Sequence, residues 1–291
     1  HRSYHLNSLY APAVSFSSLM INWLQASNTL HGLKKFIQGN IAEPWSEDSA
    51  FQDQNEAHEL EQPYERGDLK GEYRILAVDT QTDHFRYIVR GFDRDNKSYL
   101  IDFGSVAGFR DLDEKFSQFH CSKAIIDCAG DRTQEVYEEV YKRRNHWFGS
   151  RGWKNMAEPY RLQQKDPFTG NTKGRAGQGK FLYLHINKTV WEQEIAQLRG
   201  MKMNGFFTFK DTPKDYYDEL FAIYWTKETD RSGHIKVVKK KKRHKGDHYF
   251  DCECMARALA KFIGIGRVDS ENSVNRVRKK PKIPEKSGFW G

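Results

Sequence analysis

Tyr73-Arg-Ile-Leu-Ala-Val-Asp79, Phe85-Arg-Tyr-Ile-Val-Arg90 and Ser98-Tyr-Leu-Ile-Asp-Phe103 are the stretches that decide how this chain folds. The first is a short apolar run stopped by Asp79. In the second, Phe85, Tyr87 and Val89 alternate with Arg86 and Arg90, the period of a half-buried strand. The third follows the turn Asp93-Arg-Asp-Asn96. Three strands so close together predict an antiparallel meander. Beyond them the pattern predicts a helix over 111–119, a short buried strand Ala124-Ile-Ile126 closing at Asp127, and a charged amphipathic helix over 131–144. Strands followed by helix, strand and helix predict an α/β domain, a mixed central sheet flanked by helices.

Outward from this centre the signals are uneven. Residues 149–180 are rich in glycine and basic side chains, and are expected to form an exposed loop. A strand over 181–186, a helix over 189–199, a strand over 205–209 and a helix or strand around 214–225 come next. A basic strand over 234–242 and a helix from 247 to 263 complete the pattern. Upstream, apolar residues at helical spacing predict two short helices within 15–39. Residues 43–66 hold eight Asp or Glu, one Arg and two Pro without periodicity, and read as an acidic linker. The expected division is therefore 1–66 as a tail and linker, 67–268 as the folded domain, and 269–291 as a basic, flexible tail.

Composition narrows the classes. The chain has 291 residues with 47 Lys and Arg against 39 Asp and Glu, a net charge of +8. Hydrophobic residues make up only 38%, but 19 Phe, 14 Tyr and 7 Trp supply the apolar mass that a disordered chain lacks. No apolar run approaches the roughly 18–20 residues that span a bilayer, so no membrane partner is expected. Four Cys in a chain this long do not make a disulfide scaffold and point to a reducing cytosol. The chain begins at His1 rather than Met, which reads as a fragment or processed piece. Its charge is split, −9 over residues 1–140 and +17 over 141–291, so the second half carries the footprint expected for a polyanion.

Two apparent motifs carry no chemistry. Gly174-Arg-Ala-Gly-Gln-Gly-Lys180 resembles a Walker A loop, but Phe181 stands where Ser or Thr must reach Mg²⁺, and the segment precedes a strand instead of following one. Cys252 and Cys254, with Cys121 and Cys128, lack zinc-site spacing and read as buried, hydrophobe-like cysteines.

The strongest signal is three aspartates. Asp79 and Asp127 each end an apolar strand, and Asp251 sits early in the last helix, one turn after Asp247 and three residues after His248. Carboxyl ends of buried strands converge on one edge of an open α/β sheet, where ligands bind. Carboxylates gathered there repel one another unless a cation compensates, and hard oxygen donors suit Mg²⁺ or Mn²⁺. A strand-end Asp also serves simply as a turn residue, and Asp247 as a helix N-cap. What tips the balance is Lys236-Val-Val-Lys-Lys-Lys-Lys-Arg-His-Lys245, seven Lys or Arg in ten residues, directly upstream. A site acting on phosphodiesters needs cations for the backbone and carboxylates for metal ions. Lys236, Lys239, Lys240, Lys241, Lys242, Arg243 and Lys245, with Arg175 and Lys180 of the 149–180 segment, are the expected DNA contacts.

These residues resemble a known family. Tyr4-His-Leu-Asn-Ser-Leu-Tyr-Ala-Pro12 and Leu33-Lys-Lys-Phe-Ile37, with Glu43-Pro-Trp45, look like the segment that follows the ATPase in lambda-type (GpA-type) phage large terminases. Ala77-Val-Asp-Thr-Gln-Thr-Asp83, Ile125-Ile-Asp-Cys-Ala-Gly130 and His248-Tyr-Phe-Asp-Cys252 resemble three landmarks of that family's nuclease domain, in order. The resemblance covers about residues 1–263 and is loose between 145 and 245. It implies an RNase H-like fold and a Mg²⁺- or Mn²⁺-dependent endonuclease that cuts concatemeric phage DNA during packaging, in the host cell cytoplasm. It also implies that 1–66 contains the end of an upstream ATPase region, and that the small terminase subunit and the portal are partners beside double-stranded DNA. On this implication Asp79 bridges two metal ions and Asp127 and Asp251 each hold one side. Asp83, Asp247 and His248 are auxiliary positions, and His248 departs from the family pattern. Two alternatives stay open: an RNase H-like transposase, integrase or resolvase, and a non-catalytic DNA-binding or portal-docking module.

Overall fold

The computed structural model describes residues 6–26, 30–43, 54–172, 179–200, 205–229, 235–243 and 245–266. The expected tail over 269–291 lies outside the described residues. Two short helices open the chain, α1 (Phe16–Ala26) and α2 (Leu30–Phe36), each burying one apolar side chain, Leu19 and Phe36. A 3₁₀ segment, Gln54–Leu60, follows. Residues 54–66 read as linker from their charge, yet Ala57, Leu60 and Tyr64 are buried in the main core, and the Tyr64 hydroxyl donates to the Leu100 carbonyl at 3.0 Å. Charge counting misses this because only three apolar side chains anchor the stretch.

The sheet follows from the apolar runs. β1 (Tyr73–Thr80), β2 (Phe85–Phe92) and β3 (Ser98–Val106) pair antiparallel as the predicted meander. Helix α3 (Phe109–Gln118) leads to β4 (Lys123–Asp127), which lies parallel to β1. Helix α4 (Thr133–Lys142) leads to β5 (Trp147–Trp153), parallel to β4. β6 (Tyr160–Lys165) and β7 (Phe181–Asn187) form an antiparallel pair, with β7 parallel to β5. Helix α5 (Lys188–Leu198), the two-residue β8 (Phe206–Phe207), helix α6 (Lys214–Leu220), a separate ribbon of β9 (Ile223–Thr229) and β10 (Ile235–Lys241), and helix α7 (His248–Phe262) complete the described elements. The sheet order is β6-β7-β5-β4-β1-β2-β3-β8. Its centre, β3-β2-β1-β4-β5 with β2 reversed, is the RNase H-like topology.

Alternation along β1 splits the core in two, because successive strand side chains point to opposite faces. Ile75 and Ala77 pack under α5, α6 and α7, whereas Leu76 and Val78 pack under α3 and α4. The expected loop over 149–180 is corrected here, since it contains most of β5 and all of β6. β5 hides its strand character behind glycine. A Cβ on Gly149 would stand 2.9 Å from the Cys128 sulfur and 2.9 Å from the Phe181 ring, so the close packing of β5 requires a residue with low strand propensity. β6 is an edge strand and mostly polar.

Helix α7 is held by two buried ion pairs. Arg90 of β2 donates to Glu253 at 2.8 Å, with the Tyr216 hydroxyl on the same oxygen at 2.7 Å, and Arg257 donates to Glu194 of α5 at 2.8 Å. At its amino end, the Glu219 carboxylate of α6 accepts from the Tyr249 amide at 3.0 Å. No helix among the described residues is long and apolar enough to cross a membrane, and all four cysteines are buried and free.

Candidate metal centre

Asp79 and Asp127 follow directly on the paired residues Val78 and Ile126 of adjacent parallel strands. They share the parity of Ala77 and Ile125, so both point to the face covered by α7. The Thr80 hydroxyl donates to the Asp127 carbonyl at 2.6 Å and ties the two strand ends together. Asp251, in the first turn of α7, meets them from above. The three aspartates, with Arg151, Lys188 and Met255, line one cavity of about 270 Å³.

Electrostatic strain collects here. Burial, reinforced by the neighbouring charge of Asp79, pushes the Asp127 carboxyl up to about 7. Burial likewise pushes Asp251 up to about 6, against the opposing pull of Lys188. Lys188 opens α5 and donates to Asp251 Oδ2 at 2.7 Å. Behind it, buried Glu192 lies 4.0 Å from Lys188 and also accepts from Lys239 of β10. A line of alternating charge, Asp251, Lys188, Glu192, Lys239, thus runs from the cavity to the basic ribbon.

On the other side, Asp79 Oδ2 accepts from Gln81 Nε2 at 2.6 Å and from His248 Nδ1 at 2.8 Å. That hydrogen bond raises the His248 imidazole above its ordinary value, against the cost of burial. Among the described residues, no three His, Cys, Asp or Glu side chains are gathered tightly enough to hold an ion as they stand. Lys188 occupies Asp251, and His248 and Gln81 occupy Asp79.

The remaining expected residues fall into three groups. His248 reaches the site directly. Asp247, just outside α7, pairs with Lys241 at 2.9 Å, whereas Asp83 lies in the exposed β1–β2 turn against His84 at 2.6 Å and does not line the cavity. Within the basic run, Lys239 pairs with Glu192, Lys240 with Glu228, and Lys245 with Asp218 at 2.7 Å. Half-exposed Lys242 and exposed Arg243 follow the ribbon. Lys180 is half-buried and donates to the Thr172 carbonyl at 2.8 Å. Arg175 and the side chain of Lys236 lie outside the described residues. Sequence reasoning missed Lys188, Arg151 and Gln81. Lys188 was within reach, since it follows a parallel strand as Asp79 and Asp127 end theirs.

The family model described as "Terminase large subunit gpA, endonuclease domain" matches residues 1–120 and 111–270. Among solved structures, the large terminase nuclease from thermophilic phage G20c is similar at 14% identity and a TM-score of 0.39, over 72% of this chain and 96% of that one. The same nuclease with bound magnesium is similar at 14% identity and a TM-score of 0.41, over 68% of this chain and 92% of that one. No curated protein matches.

Proposed function

This chain belongs to the family of terminase large subunit gpA endonuclease domains, and on that premise we propose that it is a divalent-metal-dependent endodeoxyribonuclease that cuts concatemeric phage DNA during packaging. The observation that carries the proposal is the meeting of Asp79, Asp127 and Asp251 in one cavity at the carboxyl ends of β1 and β4.

The donor set fits two Mg²⁺ or Mn²⁺ ions in chemistry. Three carboxylates, two of them pushed toward neutrality by burial, form a site whose charge a hard cation relieves. Asp79, Asp127 and Asp251 are the residues that would hold the ions. Bound ions supply a water acidified for attack and neutralise charge on the scissile phosphate.

The chain's own residues do the rest. Arg151, exposed at the rim, takes a phosphate oxygen beside the cut. Lys188 moves from Asp251 to the phosphate as DNA enters, so that its positive charge is kept while the carboxylate is released. His248 and Gln81 orient the Asp79 carboxylate by donating to Oδ2. Buried Cys254 and Met255 give the cavity an apolar wall, which strengthens the charge interactions beside it.

Lys236, Lys242, Arg243, Lys180 and Arg175 supply contacts to the DNA backbone that depend on salt and little on sequence. Lys239, Lys240, Lys241 and Lys245 also shape the ribbon through their acidic partners, so their contribution to DNA affinity is smaller than their number implies. Double-stranded DNA is the substrate, the small terminase subunit and the portal are the protein partners, and the site of action is the host cell cytoplasm.

Plasmid cleavage tests the proposal, with wild type and Asp127→Asn each assayed in Mg²⁺, Mn²⁺ and EDTA. Cleavage by wild type in either metal, lost in EDTA and in the variant, is the expected result. No cleavage by wild type in any metal overturns it in favour of a docking module.

A further inference from the structure

Beyond the carboxylate cavity, β5 continues to the edge of the sheet. Asp127 pairs with Ser150, and Trp153 stands three residues further on, about 10 Å along the strand. Trp153 lies on the face that carries Trp147, but past the cover that α3 and α4 provide there, and its side chain is 43% exposed. An exposed tryptophan is ordinarily free to turn. This one is fixed. Its indole Nε1 donates to His185 Nδ1 at 2.6 Å, and His185 Nε2 meets Gln163 Oε1 at 2.8 Å. Burial and the nearby charges of Lys165, Arg161 and Arg151 hold the His185 imidazole down at about 4. It is therefore neutral, accepts from the indole through Nδ1 and donates to Gln163 through Nε2. Three strands, β5, β7 and β6, are thus used to hold one aromatic plane at the surface.

The surroundings of this plane are cationic. The Arg151 guanidinium lies 5.0 Å from the Trp153 ring and also lines the carboxylate cavity, which joins the two places. Arg161 and Lys154 are exposed beside them, and Lys165 is half-buried on the same face. A rigid aromatic surface bordered by Arg and Lys is the chemistry by which proteins hold unpaired nucleic acid, with the ring stacking on a base and the cations meeting phosphates. A paired base inside a duplex has no free face to offer such a ring.

We infer that Trp153, with Arg151, is a stacking platform for an unpaired nucleobase next to the cut, so that the DNA bound for cleavage is locally opened on the β5–β7–β6 side of the site. This rests on the DNA-cutting reading above and makes it more specific. Arg151 holds the phosphate between the cavity and the stacked base, and the Trp153 plane sets how far along the strand that base reaches.

Fluorescence anisotropy tests the inference, with the full chain in EDTA and two labelled DNAs, a fully paired duplex and the same duplex with a central unpaired stretch. Wild type is expected to prefer the opened duplex. Trp153→Ala is expected to lose that preference by about tenfold while binding the paired duplex as wild type does. Trp153→Phe, which keeps a ring, is expected to retain most of it. Quenching of tryptophan emission by the opened duplex in wild type, reduced in Trp153→Phe, locates the base on this residue. If Trp153→Ala binds the opened duplex as tightly as wild type, or weakens on both DNAs equally, the platform is wrong although the nuclease reading stands. If wild type binds neither DNA and cuts no plasmid, the nuclease reading itself fails and the platform with it.

Discussion

The ammonium of Lys188 lies 2.7 Å from Asp251 Oδ2, so the first residue of one helix neutralises a carboxylate in the first turn of another. A divalent ion binding at Asp251 competes with this lysine. Lys188→Met keeps the stem and removes the charge. Because the pair is about one-third exposed, its worth is near 1 kcal/mol. Mn²⁺ affinity measured by calorimetry is accordingly expected to rise about fivefold in the variant. Unchanged affinity would show that Lys188 and the ion do not share Asp251.

Asp127 sets a pH dependence in the metal-free protein. Its carboxyl is ordinarily near 3.8 and is pushed up to about 7 in the fold. Between those values the folded state keeps a proton that the unfolded state has lost. This site's contribution to stability therefore falls as pH rises from about 4 to about 7, and levels off above. Asp127→Asn removes the effect. In EDTA the variant is expected to melt higher than wild type at pH 8, by an amount on the order of 1–3 kcal/mol, and to match it at pH 4. Parallel melting curves across that range would refute the assignment.

Breaking the buried pair between Arg90 and Glu253 is costly, because each partner leaves the other charged and dry. Glu253→Gln and Arg90→Met are each expected to lose about 3–5 kcal/mol in urea denaturation. The double variant Arg90→Met, Glu253→Leu is expected to recover much of that loss. Additive losses in the double variant would mean that the two side chains act independently.

On the proposed reading, nuclease activity depends on the trio. Asp79→Asn and Asp251→Asn are each expected to leave supercoiled plasmid uncut with Mn²⁺ over a time in which wild type converts all of it. Nicking by either variant at the wild-type rate would remove that residue from the metal site.

Gly149 is a packing constraint. Gly149→Ala places a methyl 2.9 Å from both Cys128 and Phe181, an overpacking cost of about 1–3 kcal/mol. Thermal melting is expected to shift down accordingly; no shift would mean that β5 and β7 separate freely.

The legible parts of this chain are those in which one local pattern governs. Ile75 to Val78 and Ala124 to Ile126 are apolar runs closed by Asp, so β1, β4 and two carboxylates could be placed together from sequence. β5 was not legible, because Gly149, Ser150 and Gly152 answer to neighbours on other strands. The 43–66 charge pattern concealed the burial of Leu60 and Tyr64. The ion pairs of the basic run were hidden for a related reason. Glu192 and Asp218 lie on helices well upstream of Lys239 and Lys245, and no spacing rule links them.

Helix α7 is the last described element, and it brings Asp251 to strands that precede it by more than a hundred residues. Until it docks, β1 and β4 present two carboxylates and no cage. On the proposed reading, a chain still emerging from the ribosome cannot cut the genome it will later process. Competence arrives only when synthesis has passed α7 and Arg90 has found Glu253. On that reading, the order of elements along the chain withholds the cutting site until translation has passed α7.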